Sequence, residues 1–340
     1  MADLELDKPA LRPLRGGRRL APLVGLALLL LLPPLAHAFD AAFYIDLASR
    51  ILIVALAAVA LDLILGYGGM VSFGHAAFVG IGAYTVGILW HHKANAEPLA
   101  LFGMSFAGSE NALVVWPLAA LFGALGALVI GAVSLRTAGV YFIMITLAFA
   151  QMLFYLAIGL RSYGGEDGLA LWNRNVLPGL DLGDDTTFYY VCLALLAGFV
   201  LLCRRLVDSR FGLVLRGCKQ NERRMRALGF PTTRYKLAAF ALAGAAAGLS
   251  GALLANSAEF VSPAYMSWQR SGEYIVVVVL GGMGTLFGPV AGAAAFLLLE
   301  DVLSELTEHW QIVLGPILLF VVHFARRGLW GLVDRECRDG

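Results

Sequence analysis

The chain has 340 residues, of which 59% are hydrophobic and 14% charged, with a formal net charge of +1; soluble domains carry roughly 25% charged residues. Several apolar runs reach about 18 residues or more, the length that crosses a hydrocarbon core, which excludes a soluble globular domain and predicts an all-α polytopic membrane protein. The net charge says nothing about partners, because in a membrane protein the position of charge matters more than its sum; no nucleic-acid partner is expected. Cys192, Cys203, Cys218 and Cys337 show neither CxxC spacing nor a neighbouring histidine, so no metal and no disulfide is expected.

In chain order, five basic residues precede a first apolar run near 20–39. Arg12, Arg15, Arg18 and Arg19, the run Leu20–Leu32 and then Ala36-His37-Ala38 follow the plan of a signal peptide cleaved after Ala38; an uncleaved first spanning helix fits the same residues. Further runs lie near 44–66, 73–90, 113–134, 140–160, 187–205, 236–256, 273–300 and 309–325. The N-terminal tail and the segment 204–236, with its ten Lys/Arg, should both be cytoplasmic by the positive-inside rule. Six crossings connect them, an even number, and the loop 161–186 with five acids and two arginines falls outside.

The run 273–300 is too long for one pass: 28 residues rise about 42 Å, against a core of about 30 Å. GGMGTLFGP at 281–289 interrupts it, and a broken hairpin of two passes returns Arg326 and Arg327 to the cytoplasm. A single kinked span is the alternative, since Gly and Pro are tolerated within spanning helices. The expectation is a bundle of roughly 9–10 transmembrane helices, some broken or partial. It comprises a cytoplasmic tail at 1–19, a membrane body at 20–325 with a cytoplasmic loop at 206–235, and a cytoplasmic tail at 326–340. GGMVSFG (68–74) and GGMGTLFG (281–288) occupy one half each, a hint of an inverted repeat whose glycine-interrupted segments line a path.

Within YGGMVSFGHAAFVGIGAY (67–84), Ala76, Gly80, Ala83 and Gly87 share one helical face, as do Ala243, Ala247, Gly251 and Ala255 further on. Small residues at this spacing let helices approach closely, so both faces read as packing seams. Gly68 and Gly69 precede the helix and predict irregular backbone, tolerated in a membrane only under cover of protein or beside a water-filled cavity. Ser72 is placed to cap the following helix. His75 reads as a hydrogen-bonded packing residue, having no acidic partner nearby. Gln151, mid-span, is expected to hydrogen-bond across helices. Asp62, a carboxylate in an apolar run, reads either as a proton-coupling group or as an interfacial anchor.

The loop LRGCKQNERRMRALGFPTTRYKLAAF (Leu215–Phe240) carries the most distinctive pattern. Asn221 can cap a short helix from Glu222 to Leu228, Gly229 ends it, and Pro231 forbids continuation. Its residues alone fit either a basic loop lying on anionic lipid or a docking element for a cytosolic partner.

Gln220–Arg224 with Arg234–Leu237, LGYGGMVSFGHAAFVGIGAY (Leu65–Tyr84), RTAGVYFIMITLAFAQM (Arg136–Met152) and GGMGTLFGPVAGA (Gly281–Ala293) together resemble the permeases of the branched-chain amino-acid class of ABC importers, in order from about residue 44 to 325. Length and the extra first span resemble the M-type permease subunit; Asp62 departs from the family, which commonly has asparagine there. The resemblance implies a non-enzymatic permease in the bacterial inner membrane, without cofactor, carrying leucine, isoleucine and valine. Implied partners are an H-type permease, two cytosolic ATPases, a periplasmic solute-binding protein and membrane lipid. An ATPase contact is implied on Gly217–Gly229, with Gly217, Asn221, Glu222, Arg223, Arg224, Ala227, Leu228 and Gly229 as its residues. Gly68, Gly69, Ser72, His75, Gly80, Gln151, Gly281 and Gly282 are expected along the packing seams and path. No GxxxxGK[ST] phosphate loop occurs in the chain, so ATP would be hydrolysed by a partner. Urea or short-chain amides are the alternative solutes, and an ion-coupled secondary transporter using Asp62 the alternative class.

Overall fold

The structure, a computed structural model, describes residues 17–38, 43–96, 98–101, 104–106, 108–306, 309, 312–313, 315–316 and 328–331. Most of the tails at 1–19 and 326–340, most of the last predicted run 309–325, and Cys337 lie outside the described residues. Ten α-helices are present among them: α1 (Gly17–Ala38), α2 (Phe43–Asp62), α3 (His75–Ala94), α4 (Ala112–Ser134), α5 (Val140–Gly159), α6 (Asp185–Asp208), α7 (Arg210–Ala227), α8 (Thr232–Ala258), α9 (Trp268–Gly281) and α10 (Gly288–Leu306). Five segments are long and apolar enough to cross a membrane: α2 with a π-helical extension to Tyr67, α4, α5, α6 and α8. The protein is an all-α polytopic membrane protein. Two short antiparallel β-pairs sit in its loops, Leu99–Leu101 with Met104–Phe106 and Leu169–Ala170 with Phe260–Val261.

Helix starts follow local chemistry. The Asn111 side chain accepts from the Leu113 amide at 2.9 Å to begin α4, and the Asp184 carboxylate accepts from the amides of Thr186 and Thr187 to begin α6. Ser209 and Ser267 do the same for α7 and α9.

At the centre, α8 packs against α2, α3 and α4 with backbones in contact. A methyl group on Gly251 would lie 1.8 Å from the Val79 carbonyl oxygen, and one on Gly248 only 2.4 Å from that of Ala119. No side chain fits there, which is how helices in lipid gain close van der Waals contact without a hydrophobic drive. Of the two faces expected as seams, that on α8 meets α3 through Gly251. The α3 face behaves differently. Gly80 admits the side chain of Met266, from the turn Pro263–Met266, and Gly87 rests on Val261 and Leu169 of a β-pair. These positions seat loop elements, whereas α3 meets α8 through Val79, Gly82 and Ala83. The reason is that α3 is buried nearly all round, so small residues on several faces serve different neighbours. The seam between α4 (Ala119, Gly123, Ala127) and α8 (Gly244, Gly248) carries the same four-residue spacing but was not anticipated.

The interrupted run resolves as two helices. α9 and α10 fold back on one another across residues 282–287: a methyl on Gly292 would fall 2.1 Å from the Val277 carbonyl oxygen, and one on Gly281 1.9 Å from that of Gly288. α9 has 14 residues, about 21 Å of rise, shorter than a full core of about 30 Å. This is the broken hairpin rather than a kinked span.

α1 docks on α6 by an arrangement that follows from two prolines. Pro33 and Pro34 bring no backbone N–H, which frees the carbonyls four residues earlier, Leu29 and Leu30. Tyr189 and Tyr190 of α6 donate their hydroxyls to these two oxygens at 2.8 and 3.3 Å, and His37 meets the Thr186 hydroxyl at 2.8 Å.

Candidate functional site

α7 is two helices joined at a kink. Asn221, with φ −158° and ψ 96°, is extended, and its side-chain oxygen accepts from the Arg224 amide at 3.0 Å. The short helix 222–227 therefore starts where its cap chemistry places it. It ends at Gly229, whose φ of +86° suits glycine. Met225 folds this helix back on the first half of α7: a methyl on Gly217 would come within 2.7 Å of its sulfur.

Glu222 fixes the short helix to the bundle. Its carboxylate accepts from Arg226 at 2.6 Å, from the Thr232 hydroxyl at 3.2 Å and from Lys236 on α8. Burial raises this carboxyl, but the bonds and charges of Lys236 and Arg226 outweigh burial and hold it below the usual glutamate range. The staple is thus complete at neutral pH and is lost only as acid protonates the group. Arg223, Arg224, Ala227, Leu228 and Gly229 are exposed, Leu228 by 66%. They form one outward surface on a firmly held turn of chain.

The other half of α7 reaches the membrane body. Lys219 donates to the Gly66 carbonyl oxygen at 2.6 Å, within the π-helical turn Leu63–Tyr67 that ends α2. After this turn Gly68 is buried, and Gly69, with φ +68°, lies against the Lys219 side chain. Apart from the exposed Gly69, the irregular backbone at 68–74 is buried or half-buried by protein, as a membrane setting requires. On the far side of Gly66, the Asp62 carboxylate accepts from the Gly284 amide at 2.8 Å. A methyl on Gly66 would lie 2.1 Å from Asp62 Oδ1 and 2.4 Å from the Gly284 nitrogen. Asp62 is 2% exposed, which overturns the interfacial anchor: it is a buried bridge between α2 and the loop of the α9–α10 hairpin. That loop is irregular, Gly282 and Gly284 having φ of +118° and +76°. Residues 328–331 pack on it, Trp330 beside Phe287 and Gly328 against Gly282, at the same end of the molecule as α7.

Ser72 does not cap α3. Its hydroxyl accepts from Gly74 at 3.2 Å, one residue before the helix, while the Ala76 amide is capped from a distance by Ser271 of α9 at 3.1 Å. His75 donates from Nε2 to the Ala57 carbonyl at 3.0 Å and stands edge-on to Phe78 and Tyr274, a packing residue. Gln151 is half-buried on α5, and among the described residues it makes no hydrogen bond, contrary to expectation. No group of three or more metal-ligating side chains occurs among the described residues. Lys219, Lys236 and Ser271 went unread as site residues, because their partners lie 153, 14 and 195 positions away and no local pattern links them.

The profile of the family described as branched-chain amino acid transport system / permease component matches residues 43–322. The chain is 26% identical over 309 residues to the high-affinity branched-chain amino acid transport system permease protein LivM of Salmonella typhimurium and to that of Escherichia coli K12, covering 84% of this chain and 69% of each relative. It is also 26% identical to the permease protein LivH of Escherichia coli K12 over 130 residues, 38% of this chain and 42% of LivH. No solved structure matches. With a profile match over most of its length and a helical bundle interrupted at both glycine motifs, the chain belongs to the family of branched-chain amino acid transport permeases.

Proposed function

We propose that the chain is the M-type permease subunit of a binding-protein-dependent ABC importer in the bacterial inner membrane, with leucine, isoleucine and valine as solutes. It would pair with an H-type permease, receive solute from a periplasmic binding protein and be driven by two cytosolic ATPases. Both its described ends at 17 and 331 would then lie on the cytoplasmic side. One observation carries this reading: the short helix 222–227 is capped, stapled by Glu222 and rooted through Lys219, yet presents Arg223, Arg224, Ala227 and Leu228 to no partner within the described chain. A rigid element of this kind passes a push from an ATPase to α8 through Lys236, and to the end of α2 through Lys219, as a rigid-body movement.

The test is co-expression with the partner permease, ATPases and binding protein, reading leucine uptake and ATPase co-purification. Arg223→Glu with Arg224→Glu should lower both by about tenfold or more, a loss of roughly 1.4 kcal/mol at the interface, with the chain still inserted in the membrane. Uptake and co-purification that both survive the double change would remove this surface from the coupling role. Uptake that needs an ion gradient and no ATPase would replace the class altogether.

A further inference from the structure

A cavity of about 320 Å³ opens at the end of the bundle opposite α7, between the start of α2, the end of α8, the start of α9 and the end of α10. Its wall has two chemistries. The deeper part is apolar, formed by Val54, Leu254, Val277, Phe296 and Leu297. The rim holds charge of both signs. Arg270 and Glu273 neutralise each other at 2.7 Å; Arg50, which is exposed, Asp46 and Glu300 make no direct hydrogen bond or ion pair within the described residues, although Glu300 lies within electrostatic reach of Arg270 and Arg50. Asp46 and Arg50 are four apart on α2 and so share one face of that helix. In a membrane protein, charged side chains that line a cavity between helices mark a ligand or an ion path.

A guanidinium free of direct hydrogen bonds matches a carboxylate, in two parallel bonds where geometry allows. A carboxylate free of direct hydrogen bonds on the same rim matches an ammonium group. A ligand that satisfies both and also fills the apolar depth is a zwitterion with an aliphatic side chain. We infer that this cavity, bounded by α2, α8, α9 and α10, binds a free aliphatic α-amino acid, its carboxylate on Arg50, its ammonium on Asp46 and Glu300, and its side chain against Val277 and Phe296. The inference deepens the transport reading and rests on it for the site's role: an outward-facing resting place for solute between delivery and passage. A neutral amide such as urea brings neither full charge nor an apolar side chain, so the site discriminates against it on both counts.

The experiment measures binding of radiolabelled leucine to the full chain with its partner permease in lipid nanodiscs, without ATP and without binding protein. Leucine should bind saturably. Leucinol, which lacks the carboxylate, 4-methylpentanoate, which lacks the ammonium group, and glycine, which lacks the side chain, should each compete about tenfold more weakly or worse, since each forfeits one set of contacts. Arg50→Gln and Glu300→Gln should weaken leucine binding by a similar factor. The analogue series uses the unaltered chain, so it decides the matter even where a variant fails to insert. Equal competition by all three analogues, or no saturable binding, overturns the inference. So does a result in which the variants lose uptake but keep wild-type leucine binding, which would assign the rim to contact with the binding protein. The transport reading fails separately: it falls if the complete wild-type system shows no ATP-dependent leucine uptake, whatever the nanodisc measurement gives.

Discussion

At the scale of single residues, Asp62 shows how a carboxylate comes to lie in an apolar helix. Its oxygen is the acceptor for an amide in a loop 222 residues further on, and that amide is partly buried. The bond asks for an acceptor, not for a charge. An asparagine oxygen supplies the same function, so Asp62→Asn should leave leucine uptake and its pH profile unchanged. Asp62→Ala leaves the Gly284 amide unpaired at a cost of about 1–3 kcal/mol, read as a lower melting temperature of the detergent-solubilised complex. An altered pH profile in the asparagine variant would give the carboxylate a proton-carrying part and contradict this account. From the sequence, Asp62 was visible as an oddity, but its partner was not, because a hydrogen bond between distant loops leaves no periodicity to read.

At the scale of elements, two kinds of signal behaved differently. The helix 222–227 was legible because everything that defines it is local: Asn221 for the cap, Glu222 near the positive end, Gly229 for the left-handed exit. The broken hairpin was legible because its length did not fit a membrane. The small-residue faces were found, but their neighbours were misassigned at Gly80, since spacing shows where a backbone is bare and not what approaches it. That distinction predicts unequal costs. Gly251→Ala drives a methyl into the Val79 backbone, which cannot withdraw without parting α3 from α8; a cost of about 1–3 kcal/mol or more is expected. Gly80→Ala meets the side chain of the buried Met266, first its Cγ at 2.1 Å, which moves with a side-chain rotamer and leaves the backbone in place. Thermal melts of the two variants should therefore rank Gly251→Ala as clearly the more damaging; equal melts would show that the helix seam yields as readily as a side chain does.

At the scale of the whole molecule, the bundle is held at three places by groups that supply what another element lacks: Ser271 for the open start of α3, Glu222 for the root of α8, and the Tyr189–Tyr190 pair for the proline-broken ladder of α1. The last is the easiest to remove cleanly. Tyr189→Phe with Tyr190→Phe keeps the rings and deletes the two donors, so α1 should detach from α6. Protease accessibility near Ala38 should rise while the rest of the bundle keeps its melting temperature; an unchanged digestion pattern would mean that ring packing alone holds α1. The clasp also sets a clock. Each of its hydroxyls is encoded 160 residues after the carbonyl it serves. At a ribosomal pace of about 5–20 residues per second, α1 must wait roughly 8–30 s for α6 to emerge. During that interval its two bare carbonyls favour a station near the water-facing rim of the bilayer or beside an insertion chaperone. A helix made early is in this sense among the last to settle.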